Sequence, residues 1–150
     1  MNYAQMLIKQ QFKHLEGLKY PVVLSTLKPF PTTTNVLQIL HTREDHWIVA
    51  STIRCAEGKI NIYDSLYGSV EASTASLIAK LFGDATLKMK TCPRQLGDKD
   101  CGVFTIAICV AIVHGINLEG IKFIQDNMRQ HLLVCFEQQH LSPFPYALDS

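Results

Sequence analysis

Paired cysteines are missing from this sequence. Five stand at 55, 92, 101, 109 and 135, an odd number with no CxxC, and three of them lie in strongly apolar segments. A disulfide framework or a zinc site needs close, paired spacings, so neither is expected. The six histidines show no metal-like spacing with one another or with a cysteine. Free thiols throughout suit a reducing compartment, nucleus or cytoplasm. No apolar run reaches the ~18 residues of a membrane-spanning helix, so no membrane contact is expected. The opening "MNYAQMLIKQQFKHLEG" has polar residues throughout and does not read as a signal peptide. Charge is scarce too: 18% of residues are charged and the net charge is +1. The lysines and arginines are scattered, which argues against a nucleic-acid partner. Repeats, low-complexity tracts and Gly/Ser linkers are absent, and nothing calls for a cofactor.

What remains is 150 residues, 47% of them hydrophobic, enough for one compact domain over residues 1–150 with a real core. Apolar positions in 2–16, stopped by Gly17, predict a helix. Three prolines make 20–34 extended chain and loop. Strands are expected at 35–42, 46–54 and 59–66, with a hairpin across the short Gly-bearing turn between the last two. A helix over 71–82 ending at Gly83 follows, then a strand over 85–92. After a turn at 93–100, "CGVFTIAICVAIVH" is apolar on every face. Its length and the following Gly115 favour a buried helix over a strand. A last helix is expected over about 119–139, and Pro143 and Pro145 mark the tail. The order of elements reads as α+β.

The chemically suggestive stretch is "QLGDKDCGVF", residues 95–104. Asp100 suits a helix N-cap, so Cys101 falls in the first turn, where unpaired N–H groups and the helix dipole favour a thiolate. Asp98 and Asp100 oppose that effect, so charge alone leaves activation open; a histidine partner would settle it. Gly102 inside a helix costs ~1 kcal/mol relative to alanine unless something must approach the backbone closely. His46, directly before the only tryptophan, Trp47, starts one strand, and Asp64 ends the next. Pairing Arg54 with Lys59 sets Asp64 opposite Val49, leaving a gap of ~10 Å to His46 that a bulge or an off-strand histidine must close.

His46-Trp47, then Tyr63-Asp64-Ser65-Leu66, then Gln95 ahead of Asp100-Cys101-Gly102-Val103-Phe104 resembles the ubiquitin-like-specific protease family, cysteine proteases related to the adenovirus proteinase. The likeness runs from "AQMLIKQQF" to "LLVCFEQQHLSPFP". It implies a papain-like architecture: a small mixed sheet, a central helix starting at the nucleophile, and flanking helices. It also implies roles. Cys101 would be the nucleophile, His46 the general base and acid, and Asp64 the residue that orients the imidazole. The Gln95 amide and the Cys101 N–H would face the oxyanion, and Trp47 would lid a narrow tunnel for a Gly-Gly tail, with Gly102 beside it. Family members usually carry a leading segment before the first helix; here the expected helix begins almost at Met1, so that segment is not expected within these residues. The implied activity is an isopeptidase or endopeptidase acting on a ubiquitin-like modifier such as SUMO, NEDD8 or ubiquitin. A viral or mobile-element processing protease cutting short Gly-containing peptides, and a non-catalytic module holding a ubiquitin-like tail, are the alternatives.

Overall fold

The structure, a computed structural model, describes residues 1–31 and 35–149. In chain order the elements are α1 (Asn2–Gln11), β1 (Glu16–Gly17), β2 (Val36–Thr42), β3 (His46–Ser51), β4 (Lys59–Tyr63) and α2 (Ala72–Phe82). Then follow β5 (Thr86–Met89), α3 (Cys101–Val113), β6 (Ile121–Phe123), α4 (Met128–Gln138) and β7 (Tyr146–Leu148). Strands β1 to β5 form one mixed sheet in sequence order. The β1–β2 and β4–β5 pairs are parallel, and the two central pairs are antiparallel.

Both faces of this sheet are buried, and the period-2 alternation of the central strands divides their side chains between two cores. Leu37, Ile39, Val49 and Tyr63 pack with α1, α3 and α4. Val36, Leu40, Ile48, Ala50, Ile60 and Ile62 pack on the other side with Leu24, Ile78 and Leu81. Each fully buried aliphatic side chain of this size contributes ~1.5–3 kcal/mol, which explains near-continuous apolar strands. Helix α3 is buried along most of its length and lies against β3, where the Thr105 hydroxyl donates to the Trp47 carbonyl at 3.1 Å. Its C-terminus closes with Ile116 N–H on Ala111 O and Gly115 N–H on Ile112 O, Gly115 supplying the positive φ of +73° that this cap requires.

The α+β class is as read from the sequence, and several boundaries are not. Helix α1 stops at Gln11 rather than 16, because Glu16 and Gly17 leave it to pair with Val36 and Leu37. A Cβ on Gly17 would lie 2.2 Å from Leu37 O, so only glycine permits that approach. Within 20–34, Pro21–Thr26 form a 3-10 helix, and residues 32–34 lie outside the described residues. The expected helix over 119–139 is confined to Met128–Gln138. Ile121 and Phe123 are buried on either side of exposed Lys122, a strand pattern, and β6 pairs with β7 in the stretch read as a tail. The hairpin register is one residue off the expectation: Val49 pairs with Tyr63 and Ser51 with Asn61, because Arg54 has left the ladder at φ +56°.

Candidate active site

The shift in register brings the candidate residues together. Continued one step, the ladder sets Asp64 opposite Ile48, closer to His46 than expected, and the two side chains meet without a bulge. His46 Nε2 lies 2.6 Å from Asp64 Oδ1, with both residues buried. The same oxygen accepts the backbone N–H groups of Leu66 at 2.8 Å and Tyr67 at 2.9 Å. The carboxylate is therefore fixed by the turn that follows β4, and it in turn fixes the imidazole. Because Nε2 donates to Asp64, Nδ1 is left as the acceptor nitrogen.

Cys101 is the first residue of α3, and its thiol donates to the carbonyl of Asp45 at 3.5 Å, one residue before His46. Asp100 holds the N-cap position but makes no side-chain cap. Its carboxylate accepts instead from Gln125 Nε2 at 2.8 Å and Arg129 Nε at 2.8 Å. Partial burial works to raise the Asp100 pKa, but these hydrogen bonds and the Arg129 charge outweigh it and leave the carboxyl below its ordinary value. The helix-start N–H groups near Cys101 are thus not taken by the Asp100 side chain, and its charge has a partner. That relieves the opposition expected of Asp100.

Gln95 is held by a neighbour that sequence reasoning passed over. Ser65 Oγ donates to Gln95 Oε1 at 2.6 Å, and Gln95 N–H donates to Ser65 O at 3.0 Å. The amide nitrogen points the other way and donates to Gly97 O at 3.1 Å, leaving one hydrogen for another acceptor. Arg94 braces the same loop through the carbonyls of Asp64 and Leu66. Gln125 holds the next one by exchanging hydrogen bonds with the Leu96 backbone. Tyr67, beside Asp64, reads from the sequence as a packing residue, and the surface it packs on is the histidine. Its ring stands edge-on to the His46 ring, 5.1 Å between centroids, and the Arg43 guanidinium lies over it at 4.2 Å. The signal was present in "YDSLY" and in the charged turn 43–45, but tyrosines and charges at such positions are common in packing and on solvated turns.

Trp47 is half-buried and packs against the His41 ring. A Cβ built on Gly102 would sit 3.7 Å from Trp47 Cδ1 and 3.8 Å from Met1 Cε, ordinary contact distances. The fold itself therefore does not demand glycine there, and the bare backbone of residue 102 faces the indole. Cys92 donates its thiol to the Asp64 carbonyl at 3.5 Å, and burial pushes that thiol up to about 11, so it stays protonated at neutral pH. The five thiols are free. Among the described residues there is no cluster of His, Cys, Asp and Glu fit to hold a metal, and no helix is long and apolar enough to cross a membrane.

The sequence pattern of the Ulp1 protease family, C-terminal catalytic domain, matches residues 23–139, which include all four polar candidates. No curated protein matches the chain. Among solved structures, SUMO protease Ulp1 with its catalytic cysteine oxidised to a sulfenic acid superposes with a TM-score of 0.68 at 13% identity, covering 92% of this chain and 76% of the other. The sulfonic acid form gives 0.66 at 13% identity, covering 85% and 70%. The Xanthomonas campestris effector XopD bound to ubiquitin gives 0.48 at 10% identity, covering 95% and 82%. At 13% identity the two SUMO protease Ulp1 superpositions show a shared fold.

Proposed function

The chain belongs to the Ulp1 protease family and is a cysteine protease, and we propose that it cleaves after the C-terminal Gly-Gly of a ubiquitin-like modifier, in a reducing compartment of the cell. The observation that carries the assignment of roles is the 2.6 Å His46–Asp64 bond beside a cysteine at a helix start whose thiol rests on the residue before that histidine. In this reading the Cys101 proton passes to His46 Nδ1 and the thiolate attacks the carbonyl of the terminal glycine. The imidazolium then gives the proton to the leaving amine as the C–N bond breaks. Water, deprotonated by the same nitrogen, hydrolyses the thioester and restores the thiol.

The negative oxygen of each tetrahedral intermediate would be met by the Cys101 N–H and the spare Gln95 amide hydrogen. Gln95→Ala is expected to cost ~2.7–4 kcal/mol of transition-state stabilisation, read as a fall in kcat more than a rise in KM. Ser65→Ala, which leaves Gln95 in place but removes its hydrogen bond, should lose less, about the ~1 kcal/mol of one such bond. Steady-state kinetics on both variants check this; a Gln95→Ala effect confined to KM would remove the role.

Trp47 and the bare Gly102 backbone support a slot too narrow for side chains. Gly102→Ala should fold with unchanged stability or gain up to ~1 kcal/mol, since alanine is the better helix former and meets no clash. It should nevertheless lose about 10²-fold in kcat/KM, the scale of a 1 Å misplacement of the reacting carbon. Melting curves and kinetics on the same sample separate the two effects. Unimpaired turnover would show that substrate does not pass over residue 102.

Substrate class is tested with SUMO, NEDD8 and ubiquitin precursors, each extended beyond Gly-Gly, alongside a short Gly-containing peptide. Mass spectrometry should find at least one precursor cut after its second glycine. Cleavage of the short peptide alone would indicate a processing protease. Binding without cleavage of any substrate would indicate a module that only holds the tail.

A further inference from the structure

We propose that a groove on the outer side of α1, beside the β1 edge of the sheet, binds an extended acidic peptide segment. The inference does not rest on the protease reading, and the groove shares no residue with the site at Cys101. It has a volume of about 390 Å³ and an apolar lining that includes Met6 and Tyr20, large side chains left 38% and 48% exposed. Lys9, Lys13 and Lys19 stand around it, with no acidic residue in the lining.

The buried glutamine in this lining is what points to a ligand. Gln5 is 1% exposed, yet neither its Nε2 nor its Oε1 has a hydrogen-bond partner. An orphaned buried amide costs ~1–3 kcal/mol, and the fold avoids that cost nearby. Gln38, also fully buried, donates to Lys19 O at 2.8 Å and Ile39 O at 2.7 Å and accepts from Lys19 N at 3.0 Å. Gln5 has the same chemistry with nothing to meet it.

A primary amide offers a donor and an acceptor side by side, the complement of one backbone N–H and C=O. An extended peptide supplies that pair. A phosphate or lipid headgroup oxygen only accepts and would leave Oε1 unpaired. In an extended segment, side chains alternate between two faces, so apolar residues can enter the groove while acidic ones turn towards the lysines. Lys9 donates to Leu15 O at 2.7 Å, but Lys13 and Lys19 are exposed and have no ion pair among the described residues. From Gln5 to the end of α1 at Gln11 the helix rises ~9 Å, the reach of about three extended residues, and Lys13 follows just beyond that end.

The test is fluorescence anisotropy of the full chain with a fluorescein-labelled probe, Glu-Leu-Asp-Ile-Glu-Leu-Asp. Saturable binding is expected, weakened about tenfold or more by Gln5→Leu, the equivalent of one lost buried hydrogen-bonded pair. The double variant Lys13→Glu/Lys19→Glu, placed on exposed positions that leave the fold intact, should weaken it comparably. The analogue Lys-Leu-Lys-Ile-Lys-Leu-Lys should not bind, and phosphatidylserine vesicles should not co-sediment the protein. Gln5→Leu should also melt higher than the parent chain, because it removes the orphaned amide. No binding of the acidic probe, binding indifferent to both variants, or a preference for vesicles would overturn the proposal. A lower melting temperature for Gln5→Leu would overturn it as well, by showing that the amide is already satisfied.

Discussion

Cys101→Ala is expected to abolish hydrolysis and to leave the protein folded. Loss of a triad nucleophile costs on the order of 10⁶-fold in kcat, far more than any packing change at this position can explain. The structural cost is small. The thiol is buried but makes one hydrogen bond, to the Asp45 carbonyl, and it belongs to neither of the two apolar cores that flank the sheet. A loss of ~1 kcal/mol shifts the melting temperature of a chain this long by ~2–4 °C. Cys92→Ser serves as the control. That thiol is buried, is held protonated by a pKa pushed up to about 11, and donates to the Asp64 backbone carbonyl. Kinetics of the two variants should therefore diverge completely, while both melting curves stay within a few degrees of the parent chain. Full activity in Cys101→Ala, or its loss only in Cys92→Ser, would move the nucleophile elsewhere.

His46→Ala and Asp64→Ala are each expected to lose several orders of magnitude in kcat, and the double variant little more than His46→Ala alone. Residues that act through one proton-transfer unit are not additive. In the proposed mechanism Asp64 would touch the reaction only through the imidazole, so without His46 it would have nothing left to orient. Asp64→Asn discriminates further. Its amide oxygen can still accept from His46 Nε2 and from the Leu66 and Tyr67 N–H groups that now converge on Oδ1. It should keep the geometry and lose less than Asp64→Ala, which also orphans two backbone donors. Turnover measured well below each variant's melting temperature checks this. Modest, additive losses would reduce both residues to packing.

The site was legible in the sequence to the extent that its chemistry sits at element ends. His46 at the start of a strand, Asp64 just past the end of the next and Cys101 at a helix start are marked by local pattern. Their contact was not legible, because it depends on a register that Arg54 alters by one residue through a positive φ that no propensity foretells. Ser65 and Arg94 were invisible as supports. A serine hydroxyl and a guanidinium that hold a loop act through long-range hydrogen bonds, and these have no periodicity. Strands β1 and β6 were missed for the same reason, since each owes its existence to a distant partner, β2 or β7, and a segment of two or three residues carries no pattern of its own. The long, doubly buried strands and α3 were the easiest to read, because packing on both faces forces continuous apolar sequence.

The most direct measurement is to trap the acyl-enzyme position chemically. A ubiquitin-like modifier whose terminal glycine carries a thiol-reactive electrophile is incubated with the protein, and the adduct is digested and mapped by mass spectrometry. The account predicts a single covalent adduct, with the modifier's C-terminal remnant on the peptide containing Cys101. It also predicts that His46→Ala slows its formation and that Gly102→Ala suppresses it. An adduct on Cys92, Cys55 or any other residue, or labelling that proceeds unchanged without His46, would contradict it.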